Sequence, residues 1–242
     1  MLELRHVGKA YGDHAVLSDI DLTIEDGQIV SILGPSGGGK TTLLWTLGGE
    51  LAAVGARVLL CTTTKILPFP DLPCAVTAAE LERLERRHRL LCAGTPVPGT
   101  GKLAAPEVPM AELARRFDYV LAEADGAAHR PLKAHAPHEP VIPPEANRVL
   151  CVVGASGFGR SIAQAAHRPE RYARLAGVPE TALATPRAEA AVLKAEGFGD
   201  LVFVNQADSS GTLADARALA ELLERPVVAG SLWRGEYVPC WS

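Results

Sequence analysis

One stretch of eight residues, 34–41, constrains the fold of this chain more than any other. Its sequence, Gly-Pro-Ser-Gly-Gly-Gly-Lys-Thr, matches the phosphate-loop pattern G-x-x-x-x-G-K-[ST] at every fixed position. Residues 28–33 before it have the composition of a buried strand, and Thr42 opens an apolar run typical of a helix. Strand, glycine-rich turn and helix in this order are the setting in which the pattern binds phosphates. The sequence therefore predicts a nucleotide-binding protein.

The residue types of the loop suit that chemistry. Glycines let the backbone curl until successive N–H groups face a phosphate, and the start of the helix adds the positive end of its dipole. We expect Lys40 to reach the β- and γ-phosphates and the Thr41 hydroxyl to coordinate Mg²⁺. The predicted nucleotide contacts in this stretch are Gly34, Gly37, Gly38, Gly39, Lys40, Thr41 and Thr42.

The composition argues against several other classes of protein. Of 242 residues, 48% are hydrophobic and 21% charged, and a formal net charge of −4 gives no reason to expect a nucleic-acid partner. No uninterrupted apolar run approaches ~20 residues, and the first residues are unlike a signal peptide, so we expect no membrane span and a cytoplasmic location. The five cysteines form no C-x-x-C pair, which fits reduced thiols and argues against a zinc site.

The first 27 residues predict a short antiparallel β-ribbon, because apolar residues alternate from Leu2 and again up to Ile24. Up to about residue 47 the chain resembles the N-terminus of ABC-transporter ATPases. In that family such a ribbon precedes the phosphate loop and an aromatic residue stacks on adenine; Tyr11 stands at the matching place. The family's LSGGQ signature, which closes the site in the dimer, is missing further on, and this argues against a transport ATPase subunit.

A second predicted strand, 57–61, ends in three threonines and Lys65. Polar residues at the carboxyl end of a parallel strand lie where open α/β sheets bind ligands. We therefore predict that residues 62–64 assist the metal, with Thr64 also near the substrate, and that Lys65 meets a phosphate or substrate charge. The alternative is an ordinary β-branched strand end followed by a solvated lysine.

Residues 117–126 combine an apolar strand with two carboxylates, Glu123 and Asp125. Such a strand supplies the second half of a phosphate-loop site, where one acid holds Mg²⁺ through water and another polarises the attacking nucleophile. Lys40, Glu123 and Asp125 are the predicted catalytic residues, although the sequence does not divide the roles of the two acids. Thr41 and Asp125 are the predicted metal ligands.

Residues 125–143 pack cationic, imidazole and acidic groups among prolines, which rule out a long helix. A loop that follows the acidic strand would overhang the nucleotide. We predict that Arg130 and Lys133 bind an anionic substrate. His135, His138 and Glu139 would then shape its pocket or bind a metal. The alternative is a polar surface loop stiffened by proline.

Four stretches resemble the YqeC family, proposed accessory proteins of selenium-dependent hydroxylases. They are Gly-Gly-Gly-Lys-Thr-Thr at 37–42, Thr-Thr-Thr-Lys at 62–65, Glu-Ala-Asp-Gly at 123–126, and Arg-Pro-Leu-Lys-Ala-His-Ala-Pro-His-Glu-Pro-Val-Ile-Pro at 130–143. The resemblance covers about residues 28–232. It implies a P-loop NTPase that assists a selenium-dependent molybdenum hydroxylase, or a protein that matures its cofactor. The first 27 residues and the longer Pro-Ser-Gly phosphate loop depart from the family.

Residues 201–208 resemble the guanine-reading N-K-x-D element of GTPases, with Gln206 in place of the lysine. The resemblance places Asn205 and Asp208 at the base, where the aspartate accepts hydrogen bonds from guanine N1 and N2, donors that adenine lacks. The alternative is a strand followed by an Asx turn. Because Tyr11 points to adenine instead, the sequence leaves ATP and GTP both open.

The alternation of strands and helices predicts an α/β fold of three layers. Its mostly parallel, doubly wound sheet of six or seven strands forms a P-loop domain, 28–242, preceded by the ribbon at 1–27. The leading function is that of a Mg²⁺-dependent nucleotide-binding protein that hydrolyses NTP slowly during cofactor maturation. The competing functions are a kinase or nucleotidyl transferase acting on a small anion, and a subunit of a transport ATPase.

Overall fold

The computed structural model describes residues 2–11, 14–24, 28–126 and 130–240, with side chains from Gln28 onward other than Ser36. Its strands are β1 (Leu2–Tyr11), β2 (His14–Ile24), β3 (Gln28–Leu33), β4 (Val58–Thr62), β5 (Cys74–Ala75), β6 (Leu90–Ala93), β7 (Thr95–Val97), β8 (Lys102–Ala104), β9 (Tyr119–Glu123), β10 (Leu132–Lys133), β11 (Ala146–Gly154), β12 (Ala166–His167), β13 (Leu201–Asn205), β14 (Val227–Ser231) and β15 (Glu236–Pro239). The α-helices are α1 (Lys40–Ala53), α2 (Ala78–Glu85), α3 (Met110–Arg116), α4 (Ile162–Ala165), α5 (Pro169–Ala176), α6 (Pro186–Glu196) and α7 (Ser210–Leu222).

The central sheet has nine strands in the order β15-β14-β13-β11-β3-β9-β4-β6-β5. All neighbours are parallel except β14 and β15. After β3 the chain builds one half of the sheet, from β4 to β9, and then crosses to build the other half from β11 onward. This reversal confirms the predicted doubly wound α/β fold, and it makes the carboxyl end of β3 the place where such sheets bind ligands.

Two features of the sheet differ from the sequence-based expectation of six or seven strands. The first edge strand, β5, has two residues, too few to produce an alternating pattern. The other edge strand, β15, is a short strand of four residues that follows β14 and pairs antiparallel with it. The predicted antiparallel ribbon is confirmed, since β1 pairs antiparallel with β2. Strand β2 of this ribbon lies next to β15.

Three layers follow from the alternation of side chains along the buried strands. Leu60 and Leu121 face α1, where they pack with Leu43 and Leu44. The side chains on the opposite face of the sheet pack against α2 and α3 in the half that contains β4, β6 and β9. In the half that contains β11, β13 and β14 they pack against α4 to α7. Burying a leucine stabilises a fold by roughly 1.5–3 kcal/mol, so these two apolar faces hold the helices on the sheet. None of the helices in the described ranges is long and apolar enough to cross a membrane.

One carboxylate lies within the apolar layer formed by α5 and α6. Thr185 caps α6 by accepting a hydrogen bond from Ala188 N, which places Glu189 in the first turn facing the core. Glu189 is 2% exposed and accepts a hydrogen bond of 2.7 Å from the Tyr172 hydroxyl. Burial raises the pKa of Glu189 to about 7 and outweighs that hydrogen bond.

The buried Glu189 makes stability depend on pH. Its pKa is raised in the folded protein, so the folded state is penalised progressively as pH rises from about 4.5 to about 7. Glu189→Gln should therefore gain stability over the wild type across that interval, by roughly 3 kcal/mol in total. Urea unfolding at a series of pH values measures this difference. Glu170→Gln, at an exposed position of α5, is the matched control, and a difference for Glu189→Gln that does not vary with pH would contradict the assignment.

Candidate functional site

The phosphate loop joins the buried end of β3 to the first turn of α1. Two glycines in it adopt left-handed backbone conformations, Gly34 with φ 126° and Gly39 with φ 93°. A Cβ on Gly34 would lie 2.2 Å from the Val152 carbonyl oxygen, and one on Gly39 would lie 2.5 Å from Asn205 Nδ2. Both positions therefore require glycine, for conformational and for steric reasons.

Lys40 lies between the two predicted acids. Its side chain is 1% exposed, and Nζ lies 3.1 Å from Asp125 Oδ1 and 3.9 Å from Glu123 Oε1. The ammonium also donates a hydrogen bond to the Gly34 carbonyl. The structure thus brings together the three residues predicted to be catalytic, at the carboxyl ends of two adjacent strands, β3 and β9.

Thr41 and Glu123 form the part of the site that suits Mg²⁺. The Thr41 hydroxyl donates a hydrogen bond of 3.2 Å to Glu123 Oε2, and Thr41 itself is exposed. Burial raises the pKa of Glu123, and the charge of Lys40 only partly opposes this. A hydroxyl beside a carboxylate that lacks full charge compensation is a hard oxygen pair that fits this ion. Within the described part of the chain, no three His, Cys, Asp or Glu side chains are grouped as a metal site.

Asp125 is enclosed by donors instead. Its Oδ2 accepts from the backbone N–H of Gly34 at 3.1 Å, from Lys133 Nζ at 2.7 Å and from His135 Nε2 at 3.0 Å. Burial would raise the pKa of Asp125, but the hydrogen bond from His135 and the charges of Lys40 and Lys133 outweigh it and hold the pKa well below its usual range. Since Asp125 is occupied by these groups, Glu123 fits Mg²⁺ better than Asp125 does, and it is the acid that would hold the ion.

A second tier of ion pairs supports the partners of Asp125. Glu139 Oε2 lies 2.9 Å from both Lys133 Nζ and Arg168 Nη1, whose charges lower the pKa of Glu139 although burial opposes them. His135 Nδ1 lies 2.7 Å from Glu196 Oε2. Each ring nitrogen of His135 thus faces a carboxylate, and both can donate only when the ring is protonated. These hydrogen bonds raise the pKa of His135 even though burial lowers it.

The residues predicted to bind an anionic substrate occupy different environments. Lys133 and His135 are 3% and 4% exposed and are already paired with carboxylates, so a substrate would have to displace those groups. The Arg130 side chain donates to the Gln164 carbonyl, and its own carbonyl accepts a hydrogen bond of 3.1 Å from Gly37 N. His138 is exposed. This segment therefore lies against the phosphate loop and is largely internal, unlike the predicted overhanging loop.

The threonines after β4 also lie beside the site. The Thr62 hydroxyl donates a hydrogen bond of 2.8 Å to the Glu123 carbonyl, and Thr63 N donates to the same oxygen at 3.0 Å. Thr64 N donates to the Thr62 hydroxyl, which turns the chain away from the strand, while Lys65 is exposed. Thr62, one of the three threonines predicted to assist the metal, thus fixes the end of β9 that carries Glu123.

The predicted base-recognition element is joined to the phosphate loop. Asn205 Nδ2 donates to the Gly38 carbonyl at 2.8 Å, and Asn205 Oδ1 accepts from Leu232 N at 3.1 Å. Gln206, with φ 65°, donates to the Gly37 carbonyl at 2.9 Å. Asp208 is exposed. The Tyr11 side chain, the other candidate for the base, lies outside the described part of the structure.

A doubly wound, parallel sheet with a phosphate loop after its central strand, and with acids at the end of the adjacent strand, defines a P-loop NTPase fold, the fold of a class of nucleotide-binding proteins. Within that class the chain belongs to the YqeC family. The family model "YqeC protein" matches residues 30–170. The uncharacterized protein YqeC of Escherichia coli K12 is 30% identical over 226 residues, which cover 86% of this chain and 87% of that one.

Other similarities are shorter or weaker. The spermidine/putrescine import ATP-binding protein PotA of Haemophilus ducreyi is 55% identical over 49 residues, 20% of this chain, and the match spans only 13% of its length. The resemblance to ABC ATPases is therefore local, as the sequence indicated. Among solved structures, the hydrogenase maturation factor HypB from Archaeoglobus fulgidus aligns with a TM-score of 0.42 and 17% identity, covering 87% of this chain and 84% of HypB.

The ion pairs around Asp125 make Lys133 important for stability. Lys133→Met keeps the length of the side chain but leaves Asp125 and Glu139 with one cation fewer in a buried site, so we expect a loss of about 3–5 kcal/mol in the free energy of unfolding. Denaturant unfolding at neutral pH measures the loss. Lys102→Met, at an exposed position of β8, should change stability by no more than about 0.5 kcal/mol. A loss below about 1 kcal/mol for Lys133→Met would contradict the burial of these charges.

Proposed function

We propose that this chain is a Mg²⁺-dependent nucleotide-binding protein that hydrolyses NTP slowly and assists the maturation of a selenium-dependent molybdenum hydroxylase or its cofactor in the cytoplasm. The observation that carries the catalytic part is the arrangement of Lys40, Thr41 and Glu123 around the phosphate loop. Membership of the YqeC family supports the accessory role. The protein partner would be the hydroxylase or a protein of its cofactor maturation.

The roles of the residues follow from their positions. Lys40 supplies a cation to the β- and γ-phosphates, and the loop glycines supply N–H donors. Thr41 and Glu123 are the residues that would hold Mg²⁺, which when bound neutralises charge on the transferring phosphoryl group. Asp125 remains ionised between its donors and keeps Gly34 and Lys40 in place. Of the two acids, Glu123 would also orient the attacking water, because the carboxylate of Asp125 is already occupied by its donors.

The base end of the site favours guanine. Asn205 and Gln206 are anchored to the carbonyls of Gly38 and Gly37, so this element has a fixed position relative to the phosphate loop. The exposed Asp208 carboxylate then has room to accept hydrogen bonds from guanine N1 and N2. Adenine offers no such donors, and its binding would leave that carboxylate unpaired at the base. GTP is therefore the proposed nucleotide, with Asp208 as the residue that reads the base and Asn205 as the residue that joins the base-recognition element to the phosphate loop.

Base preference can be measured by calorimetric titration of the purified protein with Mg²⁺ and non-hydrolysable analogues of GTP and ATP. We expect the GTP analogue to bind at least about 10-fold more tightly, a difference of ~1.4 kcal/mol, because of the paired carboxylate. Asp208→Ala should remove that preference without weakening the ATP analogue. Tighter binding of the ATP analogue that is unaffected by Asp208→Ala would mean that residues 205–208 form only a turn and do not recognise the base. Tyr11 would then be the next residue to substitute.

The phosphate end can be tested separately with Lys40→Ala. Loss of the cation at the phosphates should weaken binding of either analogue by about 100-fold or more, the effect expected for a charge-assisted contact of roughly 3 kcal/mol. Lys102→Ala is the matched control and should bind as the wild type does. Unchanged affinity of Lys40→Ala, with the fold intact by circular dichroism, would overturn the nucleotide assignment.

Turnover of the nucleotide by the wild-type protein distinguishes hydrolysis from group transfer. Turnover that rises only with an added acceptor would indicate a transferase instead of an NTPase.

A further inference from the structure

Two cysteines lie opposite each other at one edge of the sheet. Strand β5 pairs in parallel with β6, and the register places Cys74 beside Cys92 and Ala75 beside Ala93. Paired residues on neighbouring strands project from the same face, about 4.7–4.9 Å apart along the hydrogen-bonding direction. A disulfide spans Cα atoms that are about 4.4–6.8 Å apart, so this register satisfies its first geometric requirement.

The packing around the pair gives the two thiols different accessibility. Both side chains belong to the apolar cluster on the α1 face of the sheet, in which Cys92 is buried and Cys74 is half-buried at the edge. Interaction between the two thiols lowers the pKa of Cys74 and, together with burial, raises that of Cys92. Cys74 is therefore the thiol that a reagent in solution reaches first, and Cys92 is positioned behind it.

The other three cysteines lack this arrangement. Cys61 and Cys151 are buried in β4 and β11, and burial raises the pKa of Cys61 to about 12. Cys240 follows β15 and is half-buried, and burial raises its pKa as well. Within the described ranges, no other pair of cysteines occupies partnered positions of adjacent strands.

We propose that Cys74 and Cys92 form a dithiol site that is converted to a disulfide by low-molecular-weight disulfides such as oxidised glutathione. In the first step the Cys74 thiolate attacks one sulfur of the reagent, the S–S bond of the reagent breaks, and one glutathione leaves as a thiolate. Cys92 then loses its proton and attacks the Cys74 sulfur, and the second glutathione leaves as a thiolate. Two protein thiols are oxidised, and one disulfide is reduced to two thiols.

Such a bond would fix a part of the sheet that few interactions hold. Only two residues form β5, at the outer edge of the sheet, and it is tied to β6 by backbone hydrogen bonds such as Cys92 N to the Pro73 carbonyl at 2.9 Å and Gly94 N to the Ala75 carbonyl at 3.1 Å. The chain between β4, which ends beside Glu123, and β5 would be covalently tethered at Cys74. We expect the oxidised protein to unfold at a temperature several degrees above that of the reduced form.

The experiment incubates the folded full-length protein with oxidised glutathione, blocks the remaining thiols with an alkylating reagent, and maps the bonds by mass spectrometry without reduction. The expected product is a single linked peptide pair containing Cys74 and Cys92, and the number of alkylated thiols under denaturing conditions should fall from five to three. Cys92→Ser should instead accumulate glutathione on Cys74, because the resolving thiol is missing. Cys240→Ser is the matched control and should form the 74–92 bond as the wild type does.

Two results would overturn the proposal. One is five free thiols after oxidation of the folded protein, which would mean that Cys74 is inaccessible. The other is glutathione retained on Cys74 of the wild type with no link to Cys92, which would mean that the sulfurs do not meet. Neither result depends on whether the chain binds or hydrolyses a nucleotide.

Discussion

The buried carboxylate of Asp125 is the group on which the arrangement of the site depends. The Asp125 side chain has no exposed surface. It accepts a hydrogen bond from Gly34 in the turn after β3, and it is paired with Lys40 at the start of α1 and with Lys133 and His135 in the following segment. An uncompensated charge in such a position would cost several kcal/mol, whereas one surrounded by donors acts as a junction. The Asp125 carboxylate therefore fixes the positions of the phosphate loop, the acidic strand and the segment from residue 130 onward relative to one another.

This junction explains the unusual composition of residues 130–143. Lys133 and His135 face inward and compensate Asp125, Glu139 compensates Lys133, and Arg168 and Glu196 complete the balance of charge from helical regions on the same side of the sheet. The backbone contributes as well, since the carbonyls of Arg130 and Pro131 accept hydrogen bonds from Gly37 and Gly154. The segment therefore supports the phosphate loop from within the protein, and its buried charges are paired mostly with groups from other parts of the fold.

Local patterns in the sequence are sufficient to predict the fold class and the edge of the sheet at which the candidate site residues lie, because the loop motif and the apolar strands each lie within a few residues. Lys40 and Glu123 meet because the carboxyl ends of parallel strands share one edge, a rule that requires no detailed packing. The partners Arg168 and Glu196 could not be foreseen in the same way. Glu196 is 61 residues from His135 along the chain, and no periodicity connects them. The burial of Lys133 was missed for a related reason, since the two-residue strand β10 leaves no pattern and its pairing partner β12 lies far along the sequence.

The hydrogen bond between Asn205 and Gly38 joins residues that are 167 positions apart. The phosphate loop is continuous in the sequence, yet its final shape is completed by a side chain that arrives only when the second half of the sheet has formed. Closing so long a loop is entropically costly and slow compared with forming a local turn. A chain that has folded only through β9 therefore contains the phosphate loop but lacks the hydrogen bond from Asn205. A ligand bound at this loop would therefore add its binding free energy to the association of the two halves of the sheet, and so to the cooperativity of folding.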